Sequence, residues 1–183
     1  MPHSPLVMKP LNRPDAKQPA SPLDQLTATI REVLKTIDEL TDARFGLYSE
    51  AAVELLIGTA LKESGGLRWR TQLNGGPARG LFQMERATYD DIWRNYLAHR
   101  ARLGEAIASA FTPAGGGLTF EQITDDDGYA AIMARLKYYR VPAPLPAAGN
   151  REAQAQYWKK YYNTHLGKGT VAGYLESWTT HTA

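Results

Sequence analysis

The chain has 183 residues, 43% of them hydrophobic and 22% charged, with a formal net charge of +2 and no cysteine. This length and balance suit one globular domain with a substantial core, carrying at most an appendage. Mixed charge, with no basic cluster beyond pairs such as Lys159-Lys160, leaves no electrostatic footprint for nucleic acid, and the lack of cysteine excludes disulfides, thiolate metal sites and a cysteine nucleophile.

Six of the eleven prolines fall within residues 1–22. Proline fixes φ and lacks an amide donor, so residues 1–21 are expected to form an extended arm outside the fold. The same segment lacks the apolar run of a secretory signal, and no stretch approaches the roughly 18 apolar residues of a membrane span. Helical order is expected from Pro22: Ser21-Pro22-Leu23-Asp24 supplies an N-cap, a first-turn proline and an acid near the helix N-terminus. Leu23, Leu26, Ile30, Val33, Leu34, Ile37 and Leu40 then recur at three-to-four spacing.

A second helix is expected from Ser49. Eight of residues 51–61 are Ala, Val, Leu or Ile, a pattern apolar nearly all round and therefore that of a central element. It ends on Glu63, followed by Ser64 and two glycines, and a terminal charge in such a helix must be paired, used or protonated. A polar, glycine-rich loop covers about 64–79, where at most a short hairpin fits within 66–80. The pattern then gives a third helix over 86–102, a loop at Gly115-Gly116-Gly117, and a helix starting from Thr124 through Tyr139. The three aspartates after Thr124 read as partners of the helix dipole. A proline-rich connector over 141–150, a helix from Arg151 through Tyr162 and a last helix over 169–178 complete a mainly α chain. His3, His99, His165 and His181 show no metal-ligand spacing.

Three short segments belong together. Glu63-Ser64 ends the apolar helix; Gly80-Leu81-Phe82-Gln83 follows about twenty residues later; Tyr162-Asn163, with Gly167, Gly169 and Val171, comes about eighty beyond that. In this order they resemble the lysozyme-like superfamily of soluble lytic transglycosylases and goose-type lysozymes, bacteriophage versions above all. The resemblance spans about 48–178 and implies a lysozyme-like single domain over 22–183, with the arm at 1–21. It also implies a peptidoglycan glycan strand as substrate, cleavage of the bond between N-acetylmuramic acid and N-acetylglucosamine, and Glu63 as general acid/base. No cofactor or metal is expected.

The chemistry needs these residue types. A glycosidic leaving oxygen needs a proton, and a Glu closing an apolar helix stays protonated because desolvation disfavours its anion. The structural alternative for Glu63 is an ion pair with Arg68, Arg70 or Arg79. Ser64, Asn74, Gln83, Tyr162 and Asn163 are the candidate substrate-binding residues, the amides being able to donate and accept together on acetamido and hydroxyl groups. Gly80 reads as a point of close backbone approach, to a ligand or to the helix behind it. The aromatics Tyr157, Trp158 and Tyr161 read as core. Asn74 stands where transglycosylases usually have Ser. Glu85 stands where many have Met, and is either first-turn decoration or a second carboxylate able to activate water.

By this resemblance the protein acts on the cell wall from a phage virion or from the cytoplasm of an infected cell. The arm suits attachment to other virion proteins. The alternative is a structural virion protein of the tail or head–tail junction that keeps the fold without turnover.

Overall fold

The computed structural model describes residues 19–163 and 167–182, the side chains of Asn74 and Thr182 excepted. The first 18 residues of the expected arm lie outside the described residues. Within them the chain is mainly helical: α1 (Pro22–Leu40), α2 (Glu50–Glu63), α3 (Arg86–Asp91), α4 (Ala101–Phe111), α5 (Asp127–Tyr139), α6 (Arg151–Trp158) and α7 (Val171–Thr182). No helix among the described residues is long and apolar enough to cross a membrane.

Helix α1 starts as its sequence dictates. The Ser21 hydroxyl accepts from the Asp24 amide, and the Asp24 carboxylate answers the Ser21 backbone, a reciprocal capping box. Its buried stripe is Leu26, Ile30, Leu34 and Ile37. Near its end the Asp38 carboxylate accepts from the amides of Leu47 and Tyr48, both at 2.8 Å, and so sets the path into α2.

Helix α2 is the axis of the domain. Ala52, Val53 and every residue from Leu55 to Leu61 are buried, and α1, α5, α6 and α7 all pack against it. Glu54 is a polar anchor, accepting from Arg151, Gln154 and the Gly149 amide and so fixing α6 and the connector before it. On another side α7 crosses so closely that a Cβ on Gly58 would lie 2.0 Å from the Tyr174 hydroxyl oxygen. Helix α5 is also buried nearly all round, from Gly128 to Leu136.

Three expected elements differ. The helix over 86–102 is instead α3, a π turn at Ile92–Tyr96, a 3-10 turn at Leu97–His99 and α4, with a break at Arg100 (φ −139°, ψ 59°). The cause is in the spacing: Ile92, Leu97 and Leu103 are all buried, yet steps of five and six residues cannot keep one face of a regular helix inward. The π turn, whose closing amide at Leu97 reaches the Ile92 carbonyl, brings the first two into line. The N-cap of α5 is Asp126, not Thr124: its carboxylate accepts from the Tyr129 amide at 2.8 Å, while Thr124 ends a 3-10 turn. Helix α7 runs Val171–Thr182 and not 169–178, because the Thr170 hydroxyl caps it by accepting from the Gly173 amide.

Gly58→Ala should overpack the α2–α7 crossing and cost about 1–3 kcal/mol. Urea denaturation measures it; an unchanged midpoint would mean that α7 sits farther from α2 than described.

Candidate active site

The last turn of α2 is closed by Ser64. Its hydroxyl donates to the Ala60 carbonyl at 2.6 Å and accepts from the Leu67 amide at 2.8 Å, and the residue is completely buried. Ser64 is therefore a helix terminator and does not reach a ligand, a correction to its expected sugar-binding role. The glycines after it give the same ending: Gly65 and Gly66 take φ of +61° and +77°, and the Gly66 amide returns to the Leu61 carbonyl. This stop leaves Glu63 on the final turn, facing a cleft of about 740 Å³.

The wall opposite the helix end is a tight turn. Arg79 and Met84 exchange backbone hydrogen bonds at 2.9 Å, and Thr71 bridges to Arg79, so the loop folds as a rudimentary hairpin. Gly80 makes the expected close approach, to the Ile123 carbonyl, where a Cβ would stand at 2.3 Å. Gln83 lines the cleft and takes a left-handed φ of 45°; its amide nitrogen donates to the Gly80 carbonyl at 2.9 Å. Asn74 belongs to the 3-10 turn Leu73–Gly75, but its side chain lies outside the described residues.

The third wall comes from α6 and the π turn Lys159–Asn163 that continues it. The fully buried Trp158 donates its indole N–H to the Glu63 Oε1 at 2.9 Å. The Asn163 amide is near enough to Glu63 to favour its anion weakly, while its carbonyl oxygen accepts from Lys159 at 2.8 Å. Tyr162 lines the cleft and is buried, with its hydroxyl donating to the Phe82 carbonyl at 2.8 Å. It braces the third wall against the hairpin; its donor is spent.

Glu63 has none of the arginine partners offered by the structural alternative. Arg70 forms an ion pair with Asp127, Arg68 donates to the Gly65 carbonyl, and Arg79 donates to the Gly76 and Ala78 carbonyls. Burial pushes the Glu63 carboxyl above its ordinary range; the Trp158 hydrogen bond, then Lys137, Lys62 and Asn163, oppose the shift without cancelling it. Glu85 lines the same cleft but is exposed, at the position before α3, and makes no capping hydrogen bond with its side chain.

The chain matches none of the protein-family models, curated proteins or solved structures with which it was compared.

Sequence reasoning passes over three residues that line the cleft, Lys137, Trp69 and Leu73, and the buried Trp158. Trp158 was assigned to core, which it also is; no spacing rule says that its N–H meets a carboxylate. Lys137, like Arg135 two residues before it, interrupts a buried helix, and a cation in such a run is the signal available. Trp69 and Leu73 are, with Leu40, the exposed large apolar side chains among the described residues, and both line the cleft. The arrangement can hold a proton on a desolvated carboxyl group, receive the resulting anion with an indole and an amide, and offer an apolar lip to a ring.

Because the folded-state pKa of Glu63 is raised, its protonated form favours folding. That contribution is complete below the unfolded-state pKa and is lost as pH rises through the folded-state one. Glu63→Gln should therefore equal the wild type in stability in acid and exceed it toward neutral pH, read from denaturant melts across that range. A gap that shrinks as pH rises would contradict the burial of Glu63. Trp158→Phe removes the main opposing hydrogen bond, so the Glu63 midpoint, followed by carbon NMR of its carboxyl group, should rise further.

Proposed function

We propose that the protein cleaves the β-1,4 bond between N-acetylmuramic acid and N-acetylglucosamine in peptidoglycan, as a lysozyme-like enzyme of the lytic transglycosylase type. The observation that carries this reading is Glu63: a desolvated carboxyl group without a cationic side chain bonded to it, at the end of an apolar helix and open to a cleft of substrate size. Gln83 and Asn163, placed on the two flanking walls, support it as groups that suit acetamido and hydroxyl substituents.

The reaction follows from the proton on Glu63. The carboxyl group protonates the bridging oxygen as its bond to C1 of the muramic residue breaks. The carboxylate so formed is stabilised by the Trp158 indole and the Asn163 amide, and by the nearby Lys137 ammonium. It then takes the proton of the C6 hydroxyl, whose oxygen bonds to C1 and closes a 1,6-anhydro ring. No water enters. Hydrolysis would need a second group to activate water, and Glu85, exposed at the start of α3, is the residue available for it. The contrast between one desolvated and one exposed carboxyl group favours ring closure. The proline-rich sequence of residues 1–22, read as a tether, supports action from a virion.

Digestion of purified peptidoglycan followed by mass spectrometry tests the reading. Anhydro ends are expected, and Glu63→Gln should lower turnover about 10²–10⁴-fold, the usual worth of general acid–base catalysis. Reducing ends that vanish in Glu85→Gln would make the enzyme a hydrolase. A folded wild type that releases no fragments would leave the structural virion protein as the better reading.

A further inference from the structure

We propose that Lys137, assisted by Lys168, makes this cleft select saccharides whose substituents carry free carboxylates, an inference that rests on the glycan-cleaving reading above. Lys137 comes from α5, a helix otherwise committed to the core, and it turns its ammonium into the cleft wall beside Glu63 and Glu85. Nζ donates to the Tyr162 carbonyl at 2.9 Å and lies 3.8 Å from the centre of the Tyr162 ring. An ammonium has three donors, and here one hydrogen bond goes to a neutral oxygen, with none to a carboxylate. Lys168 lines the same cleft from the segment that leads into α7.

The charge balance of the site points the same way. In the acid form that the proposed reaction requires, Glu63 is neutral, and the cleft walls then hold two cations, Lys137 and Lys168, against one anion, Glu85. A half-buried cation without a bonded counter-ion is disfavoured by desolvation, and a ligand carboxylate arriving at that wall offsets the cost. The Lys137 ammonium is indeed lowered to about 8, burial outweighing Glu63 from α2 and Glu85 from the start of α3, with Arg140, just past the end of α5, adding to the lowering. Anion recognition by Lys137 therefore fades as pH rises and the ammonium loses its proton.

Two parts of a peptidoglycan strand can supply the carboxylate: the peptide stem, or the lactyl ether of a strand stripped of its peptides. The test uses the full-length Glu63→Gln protein, so that binding is read without turnover. Calorimetry would compare peptide-bearing strands, the same strands with their peptide carboxylates amidated, amidase-stripped strands with free lactyl carboxylates, and neutral chito-oligosaccharides. Affinity for at least one carboxylate-bearing form should exceed that for the amidated and neutral ones by about tenfold or more, tenfold being the low end of what a charged hydrogen bond contributes. Which form binds tighter identifies the source. Adding Lys137→Met should erase the preference, and Lys137→Arg should keep it, with melts confirming that each variant folds. Without any change at Lys137, the preference should also decline as pH rises, at a pH below about 8 once the Glu63 charge is removed. Equal affinities, a preference that persists in Lys137→Met, or one independent of pH would overturn the assignment of Lys137 while leaving the glycan reading intact. Failure of every glycan to bind would overturn both.

Discussion

The indole N–H of Trp158 meets Glu63 at 2.9 Å from a ring that is itself completely buried, and the design of the cleft follows from that contact. A carboxylate taken out of water without partners would change protonation state or destabilise the fold. One charged hydrogen bond is worth about 1.5–3 kcal/mol, enough to make the anion accessible. It does not bring the carboxyl group back to its ordinary range, because desolvation remains the larger influence. The acid form is thus easier to reach than in an exposed carboxyl group, while the anion keeps a prepared partner. A neutral donor suits this balance better than an arginine, whose full charge would hold the carboxyl group ionised. Arg70, engaged by Asp127, and Arg79, engaged by backbone carbonyls, leave that balance intact.

Geometry explains why the chain widens its helix here. Trp158, bonded to Glu63, and Asn163, which acts weakly on the same carboxyl group, are five residues apart, and on a regular α-helix they would point about 140° from one another. The π turn Lys159–Asn163 closes that angle and presents both groups to one carboxylate, with Lys159 holding the Asn163 oxygen in place. The same device at Ile92–Tyr96 turns Ile92 and Leu97 together into the core. One widening serves packing and the other serves the cleft. Both leave a spacing of five between residues that must share a face.

That spacing also marks where the sequence was legible. Helix α1, the apolar α2 and its end at Glu63 were readable because periodicity, capping and composition all agree there. The broken helix after Arg86 was misread, although the five- and six-residue steps between buried positions were visible, because a single period was imposed on it. At the cleft, Glu63 and Gln83 could be singled out from their neighbours in sequence. Trp158 and Lys137 could not: each acts across the fold, from α6 and α5, on a carboxyl group at the end of α2. A residue's type says what it can donate, whereas its partner depends on how helices cross. Ser64 shows the converse, since its place beside Glu63 invited a ligand role and its hydroxyl is spent on the helix end.

The three motif segments accordingly divide between form and chemistry. Ser64 and the two glycines fix where α2 stops, and hence where Glu63 points. The hairpin at Arg79–Met84 holds Gln83 in a left-handed conformation that costs a non-glycine residue on the order of 1–2 kcal/mol. The reciprocal Arg79–Met84 backbone bonds over-determine that turn, as does the Tyr162 hydroxyl on the Phe82 carbonyl, so the strain persists. Its consequence is directional. With its amide nitrogen bonded to Gly80, Gln83 leaves its side-chain oxygen as the acceptor it can offer on the wall facing Glu63. A glycine there would relax the backbone and remove the acceptor. A strained glutamine is therefore accounted for by the cleft it lines, since the turn alone would be better served without it.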